Sequence, residues 1–425
     1  MSRHPLLLLL FVLLLSACGE STSTSETTLR YSRWGLPEEI EAERELLKQF
    51  EAANPGIRVI VEYSSWSEYW NKLQAQMAAG SAPDVFLMGG TYVHDYAERG
   101  QLENLNALAA ADESFSLDDY FARTNEVYTF DDGLWALPRD CNTLAVYYNK
   151  AIFDEAGVPY PEEGWTWDDL VEKARATTID RDNDGRNETW GFLASFESLE
   201  VNWGTWVWQN GGAILNDDRT KCLLDQPEAV EALRFYTGLV LDEKVSPDTA
   251  EASRFGSNMF LTGTLAMSME GSWRLRAASR IEDFEWGIAP LPRHKQAVAP
   301  VNGLGNSIYA KSKNKEAAWR LVRFLASETY QANLAKSGTS IPALKSVAES
   351  DVYLDGNPPG KELFLRQIDS GRTLPFTTGF AKWEDAIRGQ LELVWLGRKD
   401  IDTALRDATV QVDAILAGNA AGEKQ

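Results

Sequence analysis

The region from residue 29 to residue 88 alternates short apolar runs with helical patterns, and this alternation limits the fold more than any other feature. Three runs have the β-branched, apolar character of buried strands. They are Leu29–Trp34, Ile57–Tyr63 and Pro83–Met88. Helical periodicity lies between them, first at Pro37–Phe50 and then around Leu73. Strands that alternate with helices form parallel sheets covered on both faces, so the sequence predicts an α/β fold.

The length of the chain and the return of this pattern predict two lobes. The chain has 425 residues, which is more than one hydrophobic core usually holds. A new strand pattern begins at Leu144–Tyr148. Thr166, further along the chain, is the predicted N-cap of the helix that follows. Further helices are predicted at Pro227–Leu241 and Lys315–Ser327.

The N-terminus has the pattern of a bacterial lipoprotein signal. Arg3 precedes the apolar run Leu6–Leu15, which is too short to span a bilayer and is followed by Ser16, Ala17 and Cys18. We therefore expect residues 1–17 to be a signal peptide, Cys18 to be lipidated and residues 18–28 to be a flexible tether. An ordinary cleaved signal with an incidental cysteine is the alternative. Either pattern predicts an extracytoplasmic protein, and lipidation would anchor it to the outer face of the cell membrane, in a periplasm or at the cell surface.

Charge and motifs exclude several classes of function. The net charge of -22 argues against binding to nucleic acid or to an anionic lipid surface. The sequence lacks the histidine and cysteine motifs of zinc enzymes, the Gly-x-Ser-x-Gly elbow and the phosphate-binding loop. Catalysis by two carboxylates that folding brings together stays open. Cys141 and Cys222 either pair or are separate core residues.

Tryptophans occur where predicted strands give way to loops, which is where α/β sheets bind their ligands. The positions are Trp34, Trp66, Trp203, Trp206 and Trp273. A sugar ring packs its C–H face on a flat aromatic side chain, and the indole N–H also donates a hydrogen bond. The pattern favours a neutral, ring-shaped ligand, although any single tryptophan can equally be a core residue.

The segment from Asp180 to Glu188 resembles the first part of a calcium-binding loop. The expected oxygen ligands are Asp180, Asp182, Asp184, the backbone carbonyl of Arg186, and Glu188. The glutamate usually found at the twelfth position is Gly191 here, so another acid or water would have to complete the shell. A solvated acidic turn is the alternative.

Several stretches together resemble the extracellular solute-binding proteins of ABC importers. The resemblance is to the large sugar-binding family that includes the maltodextrin-binding proteins. The stretches are Tyr69–Leu73, Ala78–Val85, Leu137–Pro138, Tyr147–Lys150, Phe153–Gly157, Trp165–Leu170, Gln209–Gly212, Ala266–Trp273 and Ser312–Trp319. Their order and spacing cover nearly the whole chain after the signal.

The resemblance implies a two-lobed periplasmic-binding-protein fold with a ligand cleft between the lobes. It implies an N-terminal lobe of residues 29–139 and 305–346, and a C-terminal lobe of residues 140–304 and 347–425. The chain should cross between them near Asp140, Pro300 and Ser346. The implied function is high-affinity capture of a sugar and its delivery to the transmembrane subunits of an ABC permease. The protein would act as a monomer without catalysis and would require no cofactor. A structural Ca²⁺ in the acidic loop is a separate expectation, since some members of the family carry a similar loop.

Residue by residue, the resemblance implies a set of cleft positions. They are Trp34, Ser65, Trp66, Asp84, Gly89, Thr91, Asn142, Trp203, Glu270, Trp273, Gly303 and Gly305. Trp273 matches the stacking aromatic of the family. Asp84 has an alternative role as a turn carboxylate that accepts backbone N–H groups. Met88 and Thr91 stand where maltodextrin binders tend to have an aromatic residue and an acid, which argues against maltodextrin itself.

Two other functions remain open at this stage. A lipid-anchored glycoside-processing enzyme would convert its sugar, whereas a sugar-sensing lipoprotein would signal to a partner. Product formation would identify the first of these, and a neighbouring receptor kinase would favour the second.

Overall fold

A computed structural model describes residues 26–422 except residues 36, 256, 257, 339 and 357. The predicted signal peptide and Cys18 lie outside the described residues. The described strands are β1 (Thr27–Trp34), β2 (Ile57–Ser64), β3 (Val85–Gly89), β4 (Thr129–Phe130), β5 (Gly133–Leu134), β6 (Leu137–Pro138), β7 (Asp140–Cys141), β8 (Leu144–Asn149), β9 (Trp190–Phe192), β10 (Leu265–Gly271), β11 (Trp286–Ala289), β12 (Pro300–Val301), β13 (Leu304–Ile308), β14 (Ile341–Pro342) and β15 (Arg372–Thr373).

The described α-helices are α1 (Pro37–Ala53), α2 (Trp66–Ala78), α3 (Gly90–Glu98), α4 (Asn106–Ala111), α5 (Ala122–Tyr128), α6 (Lys150–Ala156), α7 (Trp167–Thr177), α8 (Gly204–Gln209), α9 (Pro227–Leu241), α10 (Thr249–Phe255), α11 (Leu275–Ala278), α12 (Lys315–Leu325), α13 (Glu328–Ser337), α14 (Lys345–Ala348), α15 (Asp351–Leu354), α16 (Glu362–Ser370), α17 (Phe380–Trp395) and α18 (Ile401–Gly422). Leu117–Asp119 and Ser272–Arg274 form 3₁₀ turns, and Leu199–Trp203 is π-helical. Each helix among the described residues is too short or too polar to span a bilayer.

The first lobe is built around a sheet with the strand order β2-β1-β3-β13-β6. β1 runs parallel to β2 in a register that extends from Thr27 opposite Ile57 to Trp34 opposite Ser64. β3 is also parallel to β1, whereas β13 is antiparallel to β3. The α/β fold predicted from the alternating pattern is confirmed. Because β1, β2 and β3 are parallel, their carboxyl ends lie at the same edge of the sheet.

The second lobe is built around a sheet with the strand order β11-β8-β10-β9. β10 runs antiparallel to β8 and parallel to β9. The helix α9 has the bounds that the sequence predicts, and α7 begins with the predicted cap. The Oγ1 atom of Thr166 accepts from Asp169 N at 3.2 Å, while the Asp169 carboxylate accepts from Thr166 N at 2.8 Å. This reciprocal pair supplies hydrogen-bond acceptors for two backbone N–H groups that would otherwise have no partner at the start of the helix.

Paired chain segments connect the two lobes. β7 pairs antiparallel with β14, so Cys141 lies opposite Ile341. Beside them, Asn142 N donates to Asn302 O at 2.8 Å, and Asn302 N donates to Asn142 O at 3.0 Å. These pairs lie beside Asp140 and Pro300, where crossings are predicted, and β14 lies a few residues before Ser346; the crossings stay predictions. The lobe boundaries themselves stay a prediction.

The two cysteines do not form a disulfide. Cys141 and Cys222 are both free and buried. Burial raises the pKa of the Cys141 thiol to about 12 and that of Cys222 to about 11, so both stay protonated at neutral pH. Of the two alternatives, the structure supports separate core residues.

Asp84 lies at the amino end of β3, opposite the strand end at Gly89. Its carboxylate accepts from Arg30 N at 3.0 Å and from Ser312 Oγ at 2.6 Å. It also lies 3.4 Å from Asn314 Nδ2. These bonds tie β1 to the turn before α12. They fit the alternative role of a turn carboxylate and correct the assignment of Asp84 to the cleft.

We predict that Asp84→Ala lowers the free energy of unfolding by about 2 kcal/mol, because it leaves a partly buried N–H and a hydroxyl without their charged acceptor. Chemical denaturation monitored by circular dichroism measures the change. Glu113→Ala, which removes an exposed acid, serves as the matched control. An Asp84→Ala variant as stable as the wild type would contradict this structural role.

Candidate functional site

The carboxyl edge of the first sheet is the candidate site. β1 ends at Trp34, β2 at Ser64 and β3 at Gly89. The next helices begin at this edge, α2 at Trp66 and α3 at Gly90. Ligands of α/β sheets bind outside strand ends of this kind.

Four aromatic side chains form a continuous wall at this edge, which we call the aromatic wall: Trp34, Trp66, Trp70 and Tyr92. The Trp34 ring centroid lies 4.7 Å from that of Trp66 and 5.5 Å from that of Trp70. The centroids of Trp70 and Tyr92 are 4.1 Å apart. Trp66 is 54% exposed, so this end of the wall is open to solvent. Sequence reasoning identified Trp34 and Trp66 but missed Trp70 and Tyr92.

A buried tyrosine supports the wall from behind. The Tyr69 hydroxyl donates to Leu87 O at 2.6 Å, and its ring packs 4.8 Å from that of Trp34. Trp70 is only 8% exposed, and its Nε1 has no hydrogen-bond partner within the described protein. This unpaired indole N–H can donate to a ligand oxygen that reaches it.

The start of α3 lies under a segment from the C-terminal part of the chain. A Cβ atom on Gly90 would collide with the Phe376 ring. Close by, Gly379 N donates to the Asp95 carboxylate at 2.8 Å. Gly89 is buried at the sheet edge and Thr91 is half-buried in the first turn of α3. The segment before α17 therefore bounds the site on this side.

Trp273 and Glu270 lie at the carboxyl end of β10. Trp273 is 38% exposed, and its ring lies over Gly271, where a Cβ atom would collide with it. The Glu270 carboxylate accepts from Ser268 Oγ at 2.8 Å and lies 3.4 Å from Arg274 Nε. Burial raises the pKa of Glu270. These residues combine an exposed aromatic face with a charged acceptor.

Asn142 holds the turn that carries Trp273. Its Oδ1 accepts from Ser272 Oγ at 3.0 Å, and its Nδ2 donates to the Asp140 carboxylate at 3.1 Å. Both ends of the amide are thus engaged within the protein, and Asn142 is 8% exposed. Asn142 therefore holds the turn that carries Trp273 in place, and little of its side chain is exposed to a ligand.

Arg276 shows that the turn carrying Trp273 faces the first lobe. Arg276 follows Trp273 by one helical turn, and its Nη1 lies 3.7 Å from the Glu39 carboxylate of α1. In the first lobe, Ser65 is exposed just before α2, where its hydroxyl donates to Glu68 at 2.8 Å. Trp273 therefore lies on the side of the second lobe that faces the first lobe.

Gly303 and Gly305 allow close packing beside the predicted cleft. A Cβ atom on Gly303 would collide with Asp140 O, and one on Gly305 would lie 2.9 Å from the Ala136 Cβ. The Tyr128 hydroxyl lies 2.7 Å from Gly303 O. Both glycines are buried, so they shape the cleft through the path of β13.

Trp203 is a core residue, which corrects its assignment to the cleft. Its side chain is 0% exposed, and the neighbouring Trp206 is 1% exposed. The sequence suggests a loop at this point, but Leu199–Trp203 is π-helical and turns the tryptophan into the second lobe. The same turn leaves Glu200 only half-buried.

An acid pair at the cleft escaped sequence reasoning. The Glu200 carboxylate accepts from Asn302 Nδ2 at 3.0 Å, and the Glu384 carboxylate accepts from Leu199 N at 2.8 Å. Burial, with the charge of Glu384 close by, raises the pKa of Glu200 to about 7. Burial also raises the pKa of Glu384. The two acids are 184 positions apart in sequence, so no local pattern could have joined them.

Glu384 also faces the aromatic wall. Burial raises the pKa of the Tyr92 hydroxyl, and the nearby Glu384 carboxylate raises it further. The acid pair and the Tyr92 end of the wall are therefore parts of one surface.

The acidic loop brings four carboxylates together. One oxygen each from Asp180, Asp182, Asp184 and Glu188 lies within 4.8 Å of the others. Gly185 N donates to Asp180 at 2.9 Å, which curls the loop around this cluster. A Cβ atom at position 191 would collide with the backbone of Ala174, so no glutamate can fill the twelfth position of a full calcium hand. The donors present suit a hard cation that keeps some water ligands.

Comparisons with known proteins agree with this arrangement. A family model described as bacterial extracellular solute-binding protein matches residues 35–332. A binding protein of Brucella abortus is 27% identical over 380 residues, which cover 88% of this chain and 89% of the relative. The maltotriose-binding protein of Pyrococcus abyssi is 25% identical over 321 residues, which cover 73% of this chain and 65% of the relative.

Solved structures show the same fold. An ABC substrate-binding protein of Listeria monocytogenes in complex with cycloalternan superposes with a TM-score of 0.84. It is 27% identical in sequence, and the match covers 92% of this chain and 99% of that protein.

The pKa of Glu200 predicts how the stability of the empty protein depends on pH. The native state keeps the Glu200 proton up to about pH 7, whereas unfolded glutamate loses it near its ordinary pKa of 4.5. The native state thus binds more protons between these values, and the contribution of Glu200 to stability declines as pH rises through them. We expect Glu200→Gln to remove a decline of about 1 to 3 kcal/mol between about pH 5 and about pH 8.

Denaturant unfolding of the ligand-free protein at a series of pH values measures this effect. Glu197→Gln, an exposed acid on the same segment, is the matched control and should keep the wild-type profile. Parallel profiles for the wild type and Glu200→Gln would show that Glu200 is ionised throughout.

Proposed function

The chain belongs to the family of bacterial extracellular solute-binding proteins, and we propose that it captures a sugar and delivers it to the permease of an ABC importer. Two similarities support a sugar ligand. The Pyrococcus abyssi relative is a maltotriose-binding protein, and the Listeria monocytogenes structure holds cycloalternan.

The aromatic wall is the observation that carries this proposal. Its ring centroids follow one another at 4.7, 5.5 and 4.1 Å, with the rings edge-to-face or tilted, and Trp66 is 54% exposed at the open end. A pyranose packs its C–H face on such rings and needs hydrogen-bond acceptors for its hydroxyl groups. Glu270, Glu200 and Glu384 supply carboxylate acceptors around the cleft.

We propose that the lobes close over the sugar by a hinge motion. The connecting segments are short, and β7 and β14 pair where they cross. A few residues at such a crossing can absorb the change in angle between two rigid bodies. Trp273 would then close on the sugar from the second lobe.

We propose further that the protein binds its ligand without chemical conversion. The matching family is one of solute-binding proteins, and the Listeria monocytogenes structure is a substrate-binding protein. Incubation with a bound oligosaccharide followed by mass spectrometry tests this point, because any shorter product would favour the glycoside-processing alternative.

Lipidation of Cys18 remains part of the proposal. The signal pattern before Cys18 supports an anchor in the outer face of the cell membrane, with residues 18–28 as the tether. The body would then stay close to the permease and act as a monomer. Labelling with a fatty-acid analogue should mark the wild type and leave Cys18→Ser unmarked.

We also propose that the acidic loop binds a structural Ca²⁺. Four converging carboxylates would repel one another without a cation, and the twelfth-position ligand would be replaced by water. The loop lies outside the cleft, so the ion would stabilise the fold and take no part in sugar binding.

Trp273→Ala should weaken sugar binding at least about tenfold, because it removes about 1.4 kcal/mol or more of ring stacking. A thermal-shift screen of the body from residue 26 onward against mono- and oligosaccharides identifies the ligand. Calorimetry on the hit then gives the affinity of each variant. Trp273→Phe keeps an aromatic face and should lose less affinity than Trp273→Ala.

Val410→Ala serves as a control on the outer surface, since Val410 is 69% exposed on α18. It should bind like the wild type. If no sugar stabilises the protein, the proposed function is wrong. Equal affinity for Trp273→Ala and the wild type would instead exclude Trp273 from the binding surface.

Removal of calcium should lower the melting temperature of the wild type, and added Ca²⁺ should restore it. Asp182→Asn should weaken this response, because it removes one negative charge from the cluster. Asp217→Asn, an exposed acid on another loop, is the matched control. An identical melting temperature with chelator and with Ca²⁺ would refute the proposed ion site.

A further inference from the structure

Two carboxylates lie at the cleft without a cationic partner from the protein. Glu200 accepts a hydrogen bond from Asn302 Nδ2, and Glu384 accepts one from Leu199 N. Both donors are neutral. Among the described residues, neither acid forms an ion pair. The remaining carboxylate lone pairs are therefore available to a ligand.

The basic side chains around the cleft are already engaged by other groups. Four of them form ion pairs: Arg33 with Glu43, Arg139 with Asp140, Arg274 with Glu270, and Arg388 with Asp385. Arg219 donates through Nη1 to Phe376 O at 2.8 Å. None of these cations neutralises the acid pair.

Among the other described groups around the acid pair, Arg388 is a cation that acts on Glu384, but its ion pair with Asp385 offsets its charge. The groups on α3 are Tyr92 and Asp95, and those on α17 are Asp385 and its partner Arg388. On α5 the Tyr128 hydroxyl faces Glu200. The electrostatic potential at the acid pair is negative, and it becomes more negative when both acids are ionised.

Two half-buried like charges close together are costly unless a cation offsets them. Burial raises the pKa of both acids, and that of Glu200 reaches about 7. A sugar hydroxyl can donate to a carboxylate, but an ammonium group also cancels its charge. Charge-assisted hydrogen bonds are about twice as strong as neutral ones.

The position of the acids beside the aromatic wall defines the shape of such a ligand. Tyr92 is on α3, which packs against the helix of Glu384, and its ring is tilted by 36° against that of Trp70 with the centroids 4.1 Å apart. A ring on this end of the wall would point a substituent at the acids. Further sugar rings of the ligand would extend along Trp34 toward the exposed Trp66. A cation over these aromatic faces gains additional attraction.

From this arrangement we infer that the cleft prefers a sugar with a protonated amino group, and that Glu200 and Glu384 bind its ammonium. The inference rests on the proposed function, because it concerns the ligand of the same cleft. It assigns the amino group to the Tyr92 end of the aromatic wall and the rest of the sugar to the open end.

Calorimetry with matched sugars tests the inference. One set is chitobiose with free amino groups, N,N′-diacetylchitobiose and cellobiose. The other set is glucosamine, N-acetylglucosamine and glucose, with maltose and maltotriose as neutral α-linked references. The amino form should bind at least about tenfold more tightly than the neutral forms of its set, since about 1.4 kcal/mol separates the two kinds of hydrogen bond.

Glu384→Gln should remove this preference, and Glu200→Gln should reduce it. Glu197→Gln removes the same charge from an exposed acid three positions before Glu200. It should keep the preference of the wild type. Melting temperatures of the variants confirm that each is folded, and the two substitutions in the pair provide independent tests.

The preference should also depend on pH. As pH falls through the region where Glu200 takes up its proton, the affinity for the amino sugar should fall toward that for the neutral sugar. In Glu200→Gln this dependence should weaken.

Three outcomes would overturn the inference. Equal affinity for the amino and neutral sugars, or a preference that survives in Glu384→Gln, would overturn it while sugar capture stands. Failure of every sugar in both sets and both references to bind would overturn the inference together with the proposed function.

Discussion

The arrangement of the two lobes depends on the hydrogen bonds that the buried Asp140 carboxylate accepts. The carboxylate accepts hydrogen bonds from three donors: Arg139 Nη1 at 2.6 Å, Asn142 Nδ2 at 3.1 Å and Leu304 N at 2.8 Å. Leu304 is the first residue of β13 in the sheet of the first lobe. Asn142 accepts a hydrogen bond from Ser272, the residue before Trp273. One carboxylate thus fixes structural elements on both sides of the cleft, where a charged acceptor makes strong bonds.

The sequence predicted the parts of the fold that depend on local pattern. Runs of apolar and β-branched residues mark strands, which is why β1, β2 and β3 were found close to their observed bounds. The helix α9 was predicted with its observed ends because Pro227 marks its first turn. The insertion of β13 between β3 and β6, and the contact of α17 with α3, join distant segments and leave no local signal.

The same limit applies to the candidate site. Trp34 and Trp66 were identified because a tryptophan after a strand places its ring at the sheet edge. Trp203 has the same local pattern, but a π-helical turn directs it into the core. Glu200 and Glu384 form a pair only after α17 packs beside the cleft, so no spacing could reveal them. Sequence therefore identified the aromatic part of the site better than its charged part.

The acid pair also bears on when the cleft closes. Glu200 bonds Asn302 at the crossing, and Glu384 lies near Tyr92 of the first lobe. Closure without a ligand would strip water from two carboxylates that have no cationic partner among the described residues, and this desolvation is costly. A ligand that donates to both acids offsets the cost and gains the contact with the aromatic wall. In the hinge closure proposed above, closing would become favourable only with such a ligand in place, so the charged part of the site would couple recognition to motion.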